Sequence, residues 1–130
     1  MPRELITSSD LTDAVPYHYA SAASGKTIVF TAGACPLDDE GRIVADDIPG
    51  QTRQAMANLT LALHDAGCSH TDIVKTTVFV ASASRDDLLK AWDEYVKVFG
   101  TDGPPSTLLG VAVLGFPNQL VEIEATAVRD

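Results

Sequence analysis

The chain is short of basic residues, cysteine, aromatics and long apolar runs, and each shortage excludes something. Nine Lys and Arg stand against 18 Asp and Glu, a formal charge of −9. A phosphate backbone would be repelled unless the cations clustered. They are scattered from Arg3 to Arg129, so no nucleic-acid partner is expected. No run approaches the ~18 apolar residues of a membrane span, and no membrane partner is expected. "MPRELITSSD" lacks a signal-peptide core, so a cytoplasmic location is expected. Two cysteines, Cys35 and Cys68, are too few for a disulfide scaffold and are expected as thiols.

Chemical motifs are equally sparse. His18, His64 and His70 have no companions at metal-ligand spacing. No metal and no cofactor are expected. The glycines form neither GxGxxG nor a P-loop, and no G-x-S-x-G elbow occurs. Cys35 in "TAGACP" would need a neighbouring base or cation to become a nucleophile. None is local, so it reads as a packed small hydrophobe.

What remains is a globular pattern. With 130 residues, 45% hydrophobic and 21% charged, the chain is most simply one domain, 1–130. "TIVFTAGACP" (27–36) reads as a strand entering a loop, with "YHYASAASGK" (17–26) as its hairpin partner through Ser24-Gly25. From about Gln51, Met56, Leu59, Leu63 and Ala66 recur at helical spacing, and Gly67 closes the run. "DIVKTTVFVAS" (72–82) reads as a buried strand. "SRDDLLKAWDEYVKVFG" reads as a second helix, capped by Ser84 with Asp87, with Leu88, Trp92, Tyr95, Val96 and Phe99 as its apolar stripe. The placement of Trp92 in that stripe makes it a core residue. "GPPSTLLGVAVLGFPNQLVEIEATAV" (103–128) reads as two strands joined by a short turn.

This order predicts an α+β domain with both helices on one face of a mixed sheet. Self-association would cover the sheet's other face. In "LVEIEATAV", alternation puts Leu120, Glu122 and Glu124 on one face and Val121, Ile123 and Ala125 on the other. Two carboxylates so placed suit a solvated face; alternatively one lines a cleft and positions a water.

"PYHYA", "FTAGACP", "GQTRQAMANL", "DIVKTTVFV" and "VEIEATAVRD" follow one another along nearly the whole chain. In that order they resemble the RidA/YjgF/UK114 family of reactive-intermediate deaminases. The resemblance implies a chorismate-mutase-like α+β fold, a homotrimer and small-molecule clefts between subunits. It also implies hydrolysis of enamines and imines by an arginine that grips the substrate carboxylate, a glutamate that activates water, a tyrosine and backbone donors. Carried onto this chain, the glutamate is Glu122, the tyrosine Tyr17 and the pocket glycine Gly33.

The arginine is missing. "PPST" stands where the family has Pro-Ala-Arg-Ser/Thr, which puts Ser106 in the arginine's place and Thr107 in register after it. No Lys or Arg occurs between Lys97 and Arg129, and alternation turns Arg129 away from Glu122. A charge-assisted arginine–carboxylate pair is worth roughly 1.5–3 kcal/mol. A neutral hydroxyl falls short of that, so weak or absent activity toward 2-aminoacrylate or 2-iminobutanoate is expected. The cleft, lined by Ser106, Thr107 and Leu108, is expected to take a neutral or cationic ligand. Hydrolysis of an imine, enamine or related carbonyl without a carboxylate, and binding of a small metabolite without turnover, both fit. RNA cleavage fits less well because the chain is acidic, and holdase behaviour is the other less favoured reading.

Overall fold

The structure, a computed structural model, describes residues 3–130. Strands β1 (Arg3–Ile6) and β2 (Ala20–Ala23) form a separate antiparallel ribbon. A four-stranded sheet is built from β3 (Thr27–Phe30), β4 (Ile73–Val80), β5 (Ser106–Gly110) and β6 (Val121–Arg129), in the order β3-β6-β4-β5. Helices α1 (Ile48–Asp65) and α2 (Arg85–Val96) pack on one face of it, as the hydrophobic pattern requires.

Two expected pairings differ. The strand before Thr27 pairs with β1, not with β3. The Ser24-Gly25 bend instead lays the backbone against the end of β6, where a Cβ on Gly25 would stand 2.7 Å from Val128 Cγ1. Nor do β5 and β6 form a hairpin: β5 runs parallel to β4, and β6 runs antiparallel to both β3 and β4. β6 is central, hydrogen-bonded along both edges, and its helix-facing Val121, Ile123, Ala125 and Ala127 are all buried. β5, with Thr107 and Leu109 exposed, takes the edge. The parallel β4–β5 pair needs a crossover, and α2 is that crossover.

The α1 stripe buries Met56, Leu59 and Leu63 under β6. The helix begins earlier than the stripe suggests, because Asp47 caps it through Gly50 N at 2.8 Å. Gly67 then takes a φ of +80°, which reverses the chain after the helix. On α2, Ser84 sits at the cap but its hydroxyl does not cap. Ser82 Oγ instead donates to Asp87 at 2.8 Å and accepts from Ser84 N. Tyr95 is fully buried and Trp92 stacks on it, with centroids 5.0 Å apart.

The opposite face of the sheet is open. Ile28 is 60% exposed and Phe30 74% exposed.

Candidate functional site

Glu122 stands half-buried on the open face of β6, opposite Phe79 of β4. The chain after β3 is brought against it by an irregular pairing. Thr31 N donates to Ala125 O at 3.0 Å, and Ala34 N donates to Ile123 O at 2.7 Å. Three steps on one strand thus match two on the other, which makes a bulge and presses Gly33 onto the glutamate. A Cβ at Gly33 would lie 2.2 Å from Glu122 Oε2 and 2.5 Å from its Cδ. Only glycine fits there.

Beyond the bulge, Cys35 Sγ lies 3.2 Å from Glu122 Oε1 and donates to it. Gln119 Nε2 donates to the same oxygen at 3.2 Å and to Val121 O at 3.1 Å. Burial first, and then the Glu122 carboxylate, push the Cys35 thiol up to about 11. Cys35 is therefore a thiol donor to an acid and not a thiolate. Its partner is far along the chain, which is why the local sequence gave no sign of one. An open groove of about 810 Å³ runs past Gly33 and Cys35, between Asp38, Asn58 and Phe116.

Ser106 and Leu108 face the helices, on the other side of the sheet. Ser106 Oγ lies 2.6 Å from Thr76 Oγ1 and 2.7 Å from Tyr95 Oη, and donates to Pro104 O at 2.9 Å. Tyr95 Oη also meets Thr76 Oγ1, and burial raises the phenol above its ordinary value. The Ser106 hydroxyl is thus committed within the fold. Leu108 packs against the core. Thr107, between them, points to the open face and accepts from Lys75 Nζ at 2.6 Å. Strand alternation therefore corrects the expectation that Ser106, Thr107 and Leu108 line one cleft together.

Tyr17 lies near the Ser106 side. It meets Trp92 edge-on at 6.1 Å, and its neighbour His18 donates from its backbone N to Gly103 O at 3.1 Å. Trp92 is only partly buried, so it links Tyr17 to Tyr95 and does not lie wholly within the core. A groove of about 340 Å³ opens here between Asp13, Tyr17, His18, Tyr19 and Thr101.

The expected residues therefore fall into two groups on opposite faces of one sheet. Gly33 and Glu122 form one, and Tyr17, Ser106 and Leu108 the other. Neither groove is lined by Lys or Arg. Lys75 stands on the open face and Arg42 is paired to Asp38 at the groove's rim, and sequence reasoning missed both; Lys75 is the one on the sheet itself. It lies four residues along β4 from the partner of Glu122, about 13 Å away at strand rise. Gln119 and the Thr76–Tyr95 pair were also missed; nothing in their local spacing marks them. Among the described residues, no group of three or more His, Cys, Asp or Glu could hold a metal ion. No helix is long and apolar enough to cross a membrane.

Residues 9–129 match the family model described as Endoribonuclease L-PSP. The chain is 34% identical over 113 residues to a RutC family protein of Pyrococcus horikoshii, covering 86% of this chain and 87% of that one. It is 33% identical to the 2-iminobutanoate/2-iminopropanoate deaminase of Salmonella typhimurium, covering 85% and 87%. Among solved structures, it is similar to the Rid family protein YyfB of Yersinia pestis, with a TM-score of 0.90 and 30% identity over 98% of this chain and 99% of that one. E. coli TdcF, solved with bound serine, matches with a TM-score of 0.71 and 30% identity over 98% and 99%.

Proposed function

The chain belongs to the Endoribonuclease L-PSP family, which includes the RidA/YjgF proteins, and from that membership we propose that it hydrolyses a small imine or enamine bearing no carboxylate. One observation carries the choice of substrate. Where the family resemblance places a carboxylate-gripping arginine, this chain has Ser106, whose hydroxyl is spent on Pro104, Tyr95 and Thr76. A bound carboxylate would meet Glu122 with no neutralising cation, and like charges repel strongly in a low-dielectric cleft. A neutral imine, or a cationic iminium, escapes that cost.

Glu122 acts as general base. It takes a proton from water as the oxygen adds to the C=N carbon. The proton returns to nitrogen to give a carbinolamine; Glu122 then relays the hydroxyl proton to that nitrogen, the C–N bond breaks, and ammonia leaves as the carbonyl forms. Tyr17 contributes binding surface in the groove it lines.

A complete cleft requires a second copy. Glu122 and Tyr17 lie on opposite faces and cannot converge within one chain. A homotrimer with clefts between subunits joins them and also covers Ile28 and Phe30. Free thiols at Cys35 and Cys68 suit a cytoplasmic setting. The family's name, Endoribonuclease L-PSP, denotes RNA cleavage, but a charge of −9 disfavours RNA as a partner.

The test supplies 1-propanimine, generated in situ from propylamine by a flavin amine oxidase, beside 2-iminopropanoate generated from alanine. Faster ammonia release from the first, lost in Glu122→Gln with folding intact, is the expected result. Faster turnover of 2-iminopropanoate would overturn the substrate class. Saturable binding of a neutral amine without turnover would leave a metabolite-binding protein.

A further inference from the structure

The Glu122 carboxylate receives two donors, and both end on one oxygen. Cys35 Sγ and Gln119 Nε2 each lie 3.2 Å from Oε1. An oxygen of a carboxylate has two lone pairs, so Oε1 is filled. Oε2 faces Gly33 and accepts no hydrogen bond among the described residues.

Both donors are themselves held. Gln119 is 4% exposed; its second N–H goes to Val121 O, and its carbonyl accepts from Phe116 N at 3.1 Å. The Cys35 carbonyl accepts from Asn58 Nδ2 of α1 at 2.8 Å. The two donors thus reach Glu122 from separate parts of the chain, each fixed by a third residue. Such a frame determines which oxygen is presented, and not only where the acid sits.

We propose that Cys35 and Gln119 are positioning residues for Glu122, which saturate Oε1 and leave Oε2 as the one oxygen that exchanges protons with water and substrate. The proposal rests on the hydrolytic reading above. Its mechanistic content is that both proton transfers pass through Oε2, on the Gly33 side of the carboxylate. A protonated thiol is required for this, since a thiolate beside Glu122 would repel it.

The experiment reads the contact without relying on turnover. The infrared S–H stretch of Cys35, assigned by its loss in Cys35→Ala, should move to higher frequency in Glu122→Ala, where the thiol keeps only its longer, 3.5 Å contact with Gly33 O. The Glu122 carboxylate stretches, assigned by their loss in Glu122→Gln, should shift in Cys35→Ala and return in Cys35→Ser, which restores a donor. With 1-propanimine, Cys35→Ala should lower kcat about fivefold to twentyfold with KM little changed, and Cys35→Ser should recover most of it. An S–H band that ignores Glu122→Ala overturns the proposal. So does a carboxylate shift with an unchanged kcat in Cys35→Ala. If the wild type turns over no imine at all, the hydrolytic reading fails. The infrared bands then decide by themselves whether the two donors orient Glu122.

Discussion

Gly33 lies so tightly against Glu122 that a single added carbon would overlap the carboxylate. Gly33→Ala therefore forces the acid to rotate or the bulge to open. Overpacking of this kind costs about 1–3 kcal/mol. Thermal unfolding should register the loss, and imine hydrolysis should fall more than tenfold. Full activity in a stable Gly33→Ala protein would mean that Glu122 is not held where its function requires.

Ser106→Arg tests the missing cation. The hydroxyl it removes joins Tyr95, Thr76 and Pro104, so the larger side chain must leave that cluster toward the Tyr17 groove. Stability should fall by about 1–3 kcal/mol as the buried hydroxyls lose a partner. Ammonia release from 2-aminoacrylate, generated in situ, should rise above that of the wild type. An active wild type would show that another donor holds the acid.

Cys35 should leave a mark on the alkaline stability profile. Its ordinary value of 9.0 is pushed up to about 11 by burial and by Glu122. Between those pH values the unfolded chain releases the thiol proton while the folded chain keeps it. The folded state then binds more protons, so stability falls with rising pH across that window. Below it the contribution is fully present. Cys68 and Tyr95 are also raised and act with the same sign. The slope should therefore flatten in Cys35→Ala without vanishing, which urea midpoints measured from pH 8 to 11 will reveal.

Phe30, 74% exposed on the open sheet face, should matter for assembly more than for folding. Phe30→Asp places a charge where the proposed trimer buries its sheets. Sedimentation should report a shift from three chain masses to one, with circular dichroism unchanged. An unaltered mass would place the subunit contacts elsewhere.

The sequence carried the helices and the strand faces well because both rest on local periodicity. Met56, Leu59 and Leu63 repeat at helical spacing, and Val121, Ile123 and Ala125 alternate as a strand must. Pairing was less legible. Residues 103–128 look like a hairpin because they are adjacent, but β6 pairs along both of its edges, with β3 and β4, and β5 pairs with β4 instead. The site behaves likewise. Glu122 and Gly33 stand out in their motifs, whereas Cys35 gains meaning only from an acid 87 positions away. Ser106 was identified as the departure from the family pattern. Its orientation was not, since the hydroxyls that claim it come from β4 and α2.

The central place of β6 also bears on how the protein is made. A chain emerging from the ribosome exposes β3 and β4 early, yet the strand that joins them is the last to appear. Until then the nascent sheet is two pieces, β3 alone and the β4–α2–β5 unit, each with an unpaired edge. Completion of the sheet thus waits for β6, the last of its four strands in chain order. The interval before it is when an incomplete chain is most open to wrong partners.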